Sequence, residues 1–201
     1  MDPTLLTGLF GMAMAASWTP GPNNSMLASS GATHGLKATM PHILGITVGF
    51  PVMIFLVAIG LGAVFQQSAI LREALRWIGA AMLLWMAWKI ANAVPPGTGG
   101  SKGKPFTFLQ AAAFQWVNPK GWMAAIAVTT QFAAPDHPLP SAAIIAGAFL
   151  IAGFSATYAW AAFGQAIGAL LHTPTRLRAF NITMALLLVG FLVAVLLSGA
   201  A

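Results

Sequence analysis

A chain of 201 residues that is 58% hydrophobic and 6% charged cannot cover a globule with polar surface; soluble domains carry about 25% charged residues. Nine Lys and Arg against three Asp and Glu leave a net charge of +6. The basic residues fall in short connections between apolar runs, a topology signal that leaves no basic face for nucleic acid. No cysteine is present, which excludes disulfides, thiol-based electron transfer and cysteine-ligated metal.

The amino terminus, M-D-P-T, has no basic residue ahead of its apolar run, so the first span is expected to persist and not to be cleaved as a signal peptide. That span covers about residues 5–28 and is interrupted by W-T-P-G-P-N-N from Trp18 to Asn24. Pro20 and Pro22 lack amide donors and Gly21 loosens the backbone, so a helix must break or kink here. Irregular backbone at membrane depth is tolerated only inside protein or beside a watery cavity. Asn23 and Asn24 carry the donors and acceptors that such a cavity would use. A connection over residues 31–41 leads to a second span over residues 42–65, where Gly45 and Gly49 form a small-xxx-small face read as helix packing.

Residues 66–76 form the next connection, in which Glu73 and Arg76 are spaced to pair on one helical face. The third span, residues 75–91, closes on Trp85, Trp88 and Lys89, an interfacial anchor with the lysine reaching outward. Residues 92–104 are rich in Pro, Gly, Ser and Lys and form the linker that divides the chain into halves of residues 1–91 and 105–201 within one transmembrane domain. The fourth span, residues 106–133, carries a second interruption, W-V-N-P-K-G-W from Trp116 to Trp122, in which Pro119 forms the break. Lys120 there either faces a cavity or snorkels to the interface. The fifth span, residues 142–170, has a second small-xxx-small pair at Gly164 and Gly168. The sixth covers residues 180–197, with Asn181 its one strongly polar residue.

Six spans put both termini on one side. Lys37, Lys89, Lys102, Lys104, Arg176 and Arg178 gather on the opposite side without an acid, so the termini are expected to face away from the cytoplasm. Three spans per half is an odd number, so the halves, if repeats, are inverted. The expected fold is therefore an all-α membrane protein of six transmembrane helices in two inverted three-helix repeats, with helices one and four broken. Paired breaks in corresponding positions point to a transporter's binding site. Helix amino termini suit a carboxylate, neutral amides suit an ammonium, and Lys120 adds a full positive charge; a small zwitterion fits.

Catalysis has little to work with. Asp2, Glu73 and Asp136 all lie near span ends, so no paired-carboxylate site forms at membrane depth. His34, His42, His137 and His172 lack ligand spacing, and neither metal nor cofactor is expected. A membrane-embedded enzyme or electron carrier, and a passive channel or scaffold subunit, are the alternatives.

The motifs T-P-G-P-N-N at residues 19–24, S-G-A-T-H-G at 30–35, G-I-T-V-G-F at 45–50, W-M-A-W-K-I at 85–90, F-Q-W-V-N-P-K-G at 114–121 and F-N-I-T-M-A-L-L-L-V at 180–189 together resemble the LysE/RhtB family of bacterial amino-acid exporters, most closely its branch exporting cysteine and O-acetylserine. The resemblance implies proton-driven export of a small amino acid or derivative across the bacterial inner membrane. Gly21, Asn23, Asn24, Asn118 and Lys120 would bind substrate, with Pro20, Pro22 and Pro119 holding the breaks. Many relatives carry Asp where this chain has Asn23, so the proton carrier falls to His42, Glu73 or the substrate itself. A lipid bilayer and a small-molecule substrate are the expected partners, and the glycine faces would permit a homodimer.

Overall fold

The computed structural model describes residues 2–93, 104–171 and 173–198, and among these the regular structure is entirely helical. Most of the linker expected at residues 92–104, together with Lys102 and His172, lies outside the described residues.

Helix α1 runs Pro3–Trp18, started by Asp2, whose carboxylate accepts from Thr4 N at 2.8 Å. Residues 19–21 are not helical, and α2 (Pro22–His34) begins with Pro22 in its first turn, where the missing N–H costs nothing. Gly35 alone joins α2 to α3 (Leu36–Leu56); its φ of 83° lies in the left-handed region that glycine adopts freely. A π-turn at Val57–Leu61, with Gly60 at φ 134°, links α3 to α4 (Gly62–Gln67). Ser68 accepts from Leu71 N at 3.2 Å and opens α5 (Ala69–Ala91). Thr107 and Gln110 form a reciprocal capping box at the start of α6 (Phe108–Phe114). A 3₁₀ turn at Gln115–Val117 and the extended Asn118 separate α6 from α7 (Pro119–Phe132). The chain ends in α8 (Pro138–Leu170) and α9 (Pro174–Ser198).

Among the described residues, four continuous helical stretches are long and apolar enough to cross a membrane: Leu36–Gln67, Ala69–Ala91, Pro138–Leu170 and Pro174–Leu197. The pairs α1/α2 and α6/α7 are shorter helices on either side of a break. Helices reach further than the sequence suggests. The connections expected at residues 31–41 and 66–76 shrink to Gly35 and Ser68, and Arg176 and Arg178 sit inside α9. A single residue suffices where Gly supplies positive φ or Ser caps the next helix.

Three apolar clusters hold the bundle together. Leu9, Met53, Ile54, Trp122 and Phe149 join α1, α3, α7 and α8; Met26, Leu83, Met86, Phe114 and Leu188 join α2, α5, α6 and α9; Leu27, Ile43, Ala111 and Ala161 join α2, α3, α6 and α8. Glycines let backbones touch. A Cβ on Gly31 would lie 2.1 Å from Ala161 O, one on Gly164 would lie 2.0 Å from Ala28 O, and one on Gly168 would lie 2.5 Å from Ala32 O, so α2 and α8 meet main chain to main chain. Gly45 and Gly49 meet α6 in the same way, at Phe108 O and Ala112 Cα. Both small-xxx-small faces are thus used inside the chain. The outer faces carry large apolar side chains such as Leu109, Ile151 and Leu186, as lipid contact requires.

Candidate functional site: a cavity between two helix breaks

A broken helix leaves carbonyls without their i+4 partners, and each must be satisfied. At the first break the partners are side chains. Asn24 Nδ2 donates to Ser17 O at 2.9 Å and to Thr19 O at 3.0 Å. Lys120 Nζ, which belongs to the second break, donates to Thr19 O at 2.6 Å and lies 3.4 Å from Pro20 O. The two interruptions are therefore joined directly by an ammonium resting on freed carbonyls. Gly21 makes room for it, since a Cβ there would fall 2.8 Å from Lys120 Cδ and 3.0 Å from Nζ.

Asn23 and Gln115 form a second bridge, a reciprocal amide pair with Asn23 Nδ2 donating to Gln115 Oε1 at 2.9 Å and Gln115 Nε2 donating back at 3.3 Å. Gln115 is fully buried and also donates to Ala111 O at 2.9 Å. Asn118 is 2% exposed, and its Oδ1 is buried with no hydrogen-bond partner among the described residues. Such an acceptor is costly unless a donor reaches it.

These groups enclose a cavity of about 50 Å³, lined by Gly21, Asn23, Asn24, Gln115, Asn118 and Lys120 from the breaks and closed by Phe50 of α3 and Gly153, Ala156 and Thr157 of α8. At about 30 Å³ per water, it is a contracted space. Its lining holds one cation, amides and the hydroxyl residues Ser17 and Thr157, with no acid: the three acids of the chain are Asp2, Glu73 and Asp136. This arrangement offers a carboxylate the Lys120 ammonium, and offers an N–H donor the Asn118 oxygen. It has neither a nucleophile set beside a base nor a ligand cluster, and no group of three His, Cys, Asp or Glu occurs among the described residues.

Gly21, Asn23, Asn24, Asn118 and Lys120 thus share one cavity, with Pro20 in the first break and Pro22 and Pro119 each opening the helix that follows. Lys120 points to the first break and does not snorkel. His42 and Glu73 are elsewhere. His42, on α3, is 2% exposed with neither ring nitrogen hydrogen-bonded and its ring 5.2 Å from that of Phe106. Glu73 is exposed on α5, paired with Arg76 at 3.3 Å and accepting from Trp77 Nε1 at 3.0 Å. Gln115, expected from sequence only as one of the neutral amides that could receive an ammonium, is here the partner of Asn23; sequence reasoning left out Thr157, whose hydroxyl lies 3.1 Å from that of Thr47. The signal for Gln115 was its place as the amide directly before the W-V-N-P-K-G-W motif; Thr157 had none beyond being polar on an apolar helix.

A helical membrane protein with a polar cavity between two interrupted helices has the build of a translocator. The chain belongs to the LysE type translocator family, whose profile matches residues 14–199. It is 32% identical over 193 residues to the cysteine/O-acetylserine efflux proteins of Escherichia coli (strain HS) and Shigella sonnei (strain Ss046), an overlap covering 94% of this chain and 96% of each relative. No solved structure matches it.

Proposed function

We propose that this chain exports a small amino acid or amino-acid derivative of the cysteine and O-acetylserine class from the bacterial cytoplasm across the inner membrane, by proton-coupled alternating access. The observation that carries the reading is Lys120: an intramembrane ammonium whose partners are the carbonyls of the opposite break, in a cavity without an acid. A charge so placed is expensive to keep without a role. The solute carboxylate takes the place of those carbonyls on Lys120, and its ammonium donates to Asn118 Oδ1. Asn24 is a positioning residue, because its amide is committed to the first break. Loading requires the breaks to separate from their contracted geometry, which is where the conformational cycle begins.

Helix pairing supports two inverted three-helix halves. Exchanging the halves maps α1/α2 onto α6/α7, α3 onto α8 and α5 onto α9. The contacts α1 with α8 and α3 with α6 then interchange, while α3 with α8 and α5 with α9 map onto themselves, and all four are among the closely packed pairs. Of the two side chains considered for proton coupling, Glu73 is engaged at the surface by Arg76 and Trp77. His42, buried without a partner, is the better placed.

Extracellular amino acids compared between cells overproducing and lacking the protein test the assignment. Lys120→Ala and Asn24→Ala are each expected to abolish export of cysteine and O-acetylserine while insertion into the membrane stays normal; full export by both variants would overturn the site. Counterflow of labelled solute, present for a carrier and absent for a pore, tests the mechanism.

A further inference from the structure

A larger cavity, of about 270 Å³, lies at the other end of α2, walled by that helix, by α3, by the end of α5 and by the segment leading into α6. Ser30, Thr33, His42, Lys89, Lys104 and Phe106 contribute to its lining. Lys89 lies over two aromatic rings. Its Nζ stands 4.7 Å from the Trp85 ring centroid and 5.5 Å from that of Phe106, held by cation–π attraction at the cavity wall. Neither Lys89 nor Lys104 meets an acid in this lining, and Asp2, Glu73 and Asp136 are the only acids in the chain. His42 lines the same space with both ring nitrogens buried and without a hydrogen-bond partner. Two ammonium groups and an unpartnered imidazole around one chamber, with hydroxyls beside them, form a receptor for an anionic oxygen group.

This chamber and the cavity at the breaks border the same helix. Asn23 lines the smaller one and Met26 the larger; residues three apart share a helical face. What stands between them is apolar: Met26 and Phe114 belong to one buried cluster, and Phe114 adjoins Gln115 of the smaller cavity. Methionine is unbranched and adapts its shape readily, so this partition can yield without rebuilding the helices.

We propose that the larger chamber is a second solute site, a vestibule where Lys89, Lys104 and His42 hold the carboxylate of the exported amino acid before it passes Met26 to Lys120. The proposal rests on the exporter reading and adds to it a separate binding step. The vestibule lies at the end of the bundle that carries Lys37, which is the cytoplasmic end in the proposed orientation.

The test uses the full chain in nanodiscs, with radiolabelled L-cysteine kept reduced and O-acetyl-L-serine as probes. Wild type is expected to bind a second molecule per chain beyond the one that depends on Lys120. The double variant Lys89→Gln, Lys104→Gln, altered at the chamber's rim and not in the packed core, is expected to lose that second molecule, and in inside-out vesicles its KM should rise about tenfold with little change in maximal rate. Lys120→Ala is expected to keep the vestibule molecule and transport nothing. A single bound molecule in wild type, lost in Lys120→Ala and indifferent to the double variant, overturns the vestibule and leaves the exporter reading standing. Absence of both binding and transport in every form overturns the exporter reading itself. Nanodiscs with and without phosphatidylglycerol separate the remaining source of an anionic group: an effect of the double variant seen only with phosphatidylglycerol assigns the chamber to a lipid headgroup and overturns the proposal.

Discussion

Gly21 illustrates how much a single position controls. Its φ of 177° is extended backbone open to any residue, so Gly21→Ala carries no strain of its own. The added methyl would nevertheless meet the Lys120 side chain at 2.8 Å, and the flexible lysine is what gives way. We expect Gly21→Ala to insert and fold as wild type does, with thermal stability within about 0.5 kcal/mol, and to lose most export because the ammonium is pushed off the Thr19 and Pro20 carbonyls. Normal export by a folded Gly21→Ala protein would show that the position of Lys120 is unimportant. At this scale the sequence was informative. Pro20, Pro22 and Pro119 advertise interruptions because a missing N–H is a local property, and Asn23, Asn24, Asn118 and Lys120 stand out as polar groups beside them. The partners were not legible: the pairing of Asn23 with Gln115, and of Lys120 with Thr19, joins residues 92 and 101 positions apart and depends on how the helices pack.

Among the elements, the glycine contacts separate residues that matter to packing from those that do not. Gly164 faces Ala28 O at 2.0 Å from where its Cβ would be, whereas nothing stands within 4 Å of a Cβ on Gly190. Gly164→Val is expected to prevent α2 from seating on α8 and to yield little folded protein, by fluorescence-detected size exclusion. Gly190→Ala should match wild type or gain up to about 1 kcal/mol from the better helix former. Gly60 is a different case, with open space but a φ of 134°. Gly60→Ala is expected to lower stability by about 1–3 kcal/mol through backbone strain alone, measurable as a drop in unfolding midpoint. The small-xxx-small faces were readable in the sequence as packing motifs. The π-turn at Val57–Leu61 was not, because those five residues are all apolar or glycine and the nearest proline, Pro51, sits inside α3. Helix ends were placed too early for a related reason: polar residues such as Lys37 and Glu73 look like loop, yet a one-residue turn at Gly35 or Ser68 lets helices run straight through them.

For the whole molecule, the distribution of charge is what the proposed orientation rests on. Lys37, Lys89, Lys102, Lys104, Arg176 and Arg178, at helix ends or between helices in the sequence, would share a side in the proposed six-span topology, and the positive-inside tendency would assign that side to the cytoplasm. A carboxy-terminal fusion to alkaline phosphatase should therefore be active and one to green fluorescent protein dark; the reverse would invert the topology and place the vestibule outside. The sequence displayed the class of molecule plainly, since composition alone demands a membrane. It could not display the larger chamber, whose walls come from separate segments and whose central histidine looks, in one dimension, like any interfacial residue.

The glycine seam between α2 and α8 also bears on how such a bundle moves. Side chains that interlock as ridges in grooves must climb out of one another before helices shift. Where Gly31, Gly164 and Gly168 meet main-chain atoms of the facing helix, there are few teeth to disengage, so in the proposed alternating-access cycle one half would glide along the other as on a smooth bearing, with the polar groups at the breaks, not the packing, deciding where it stops.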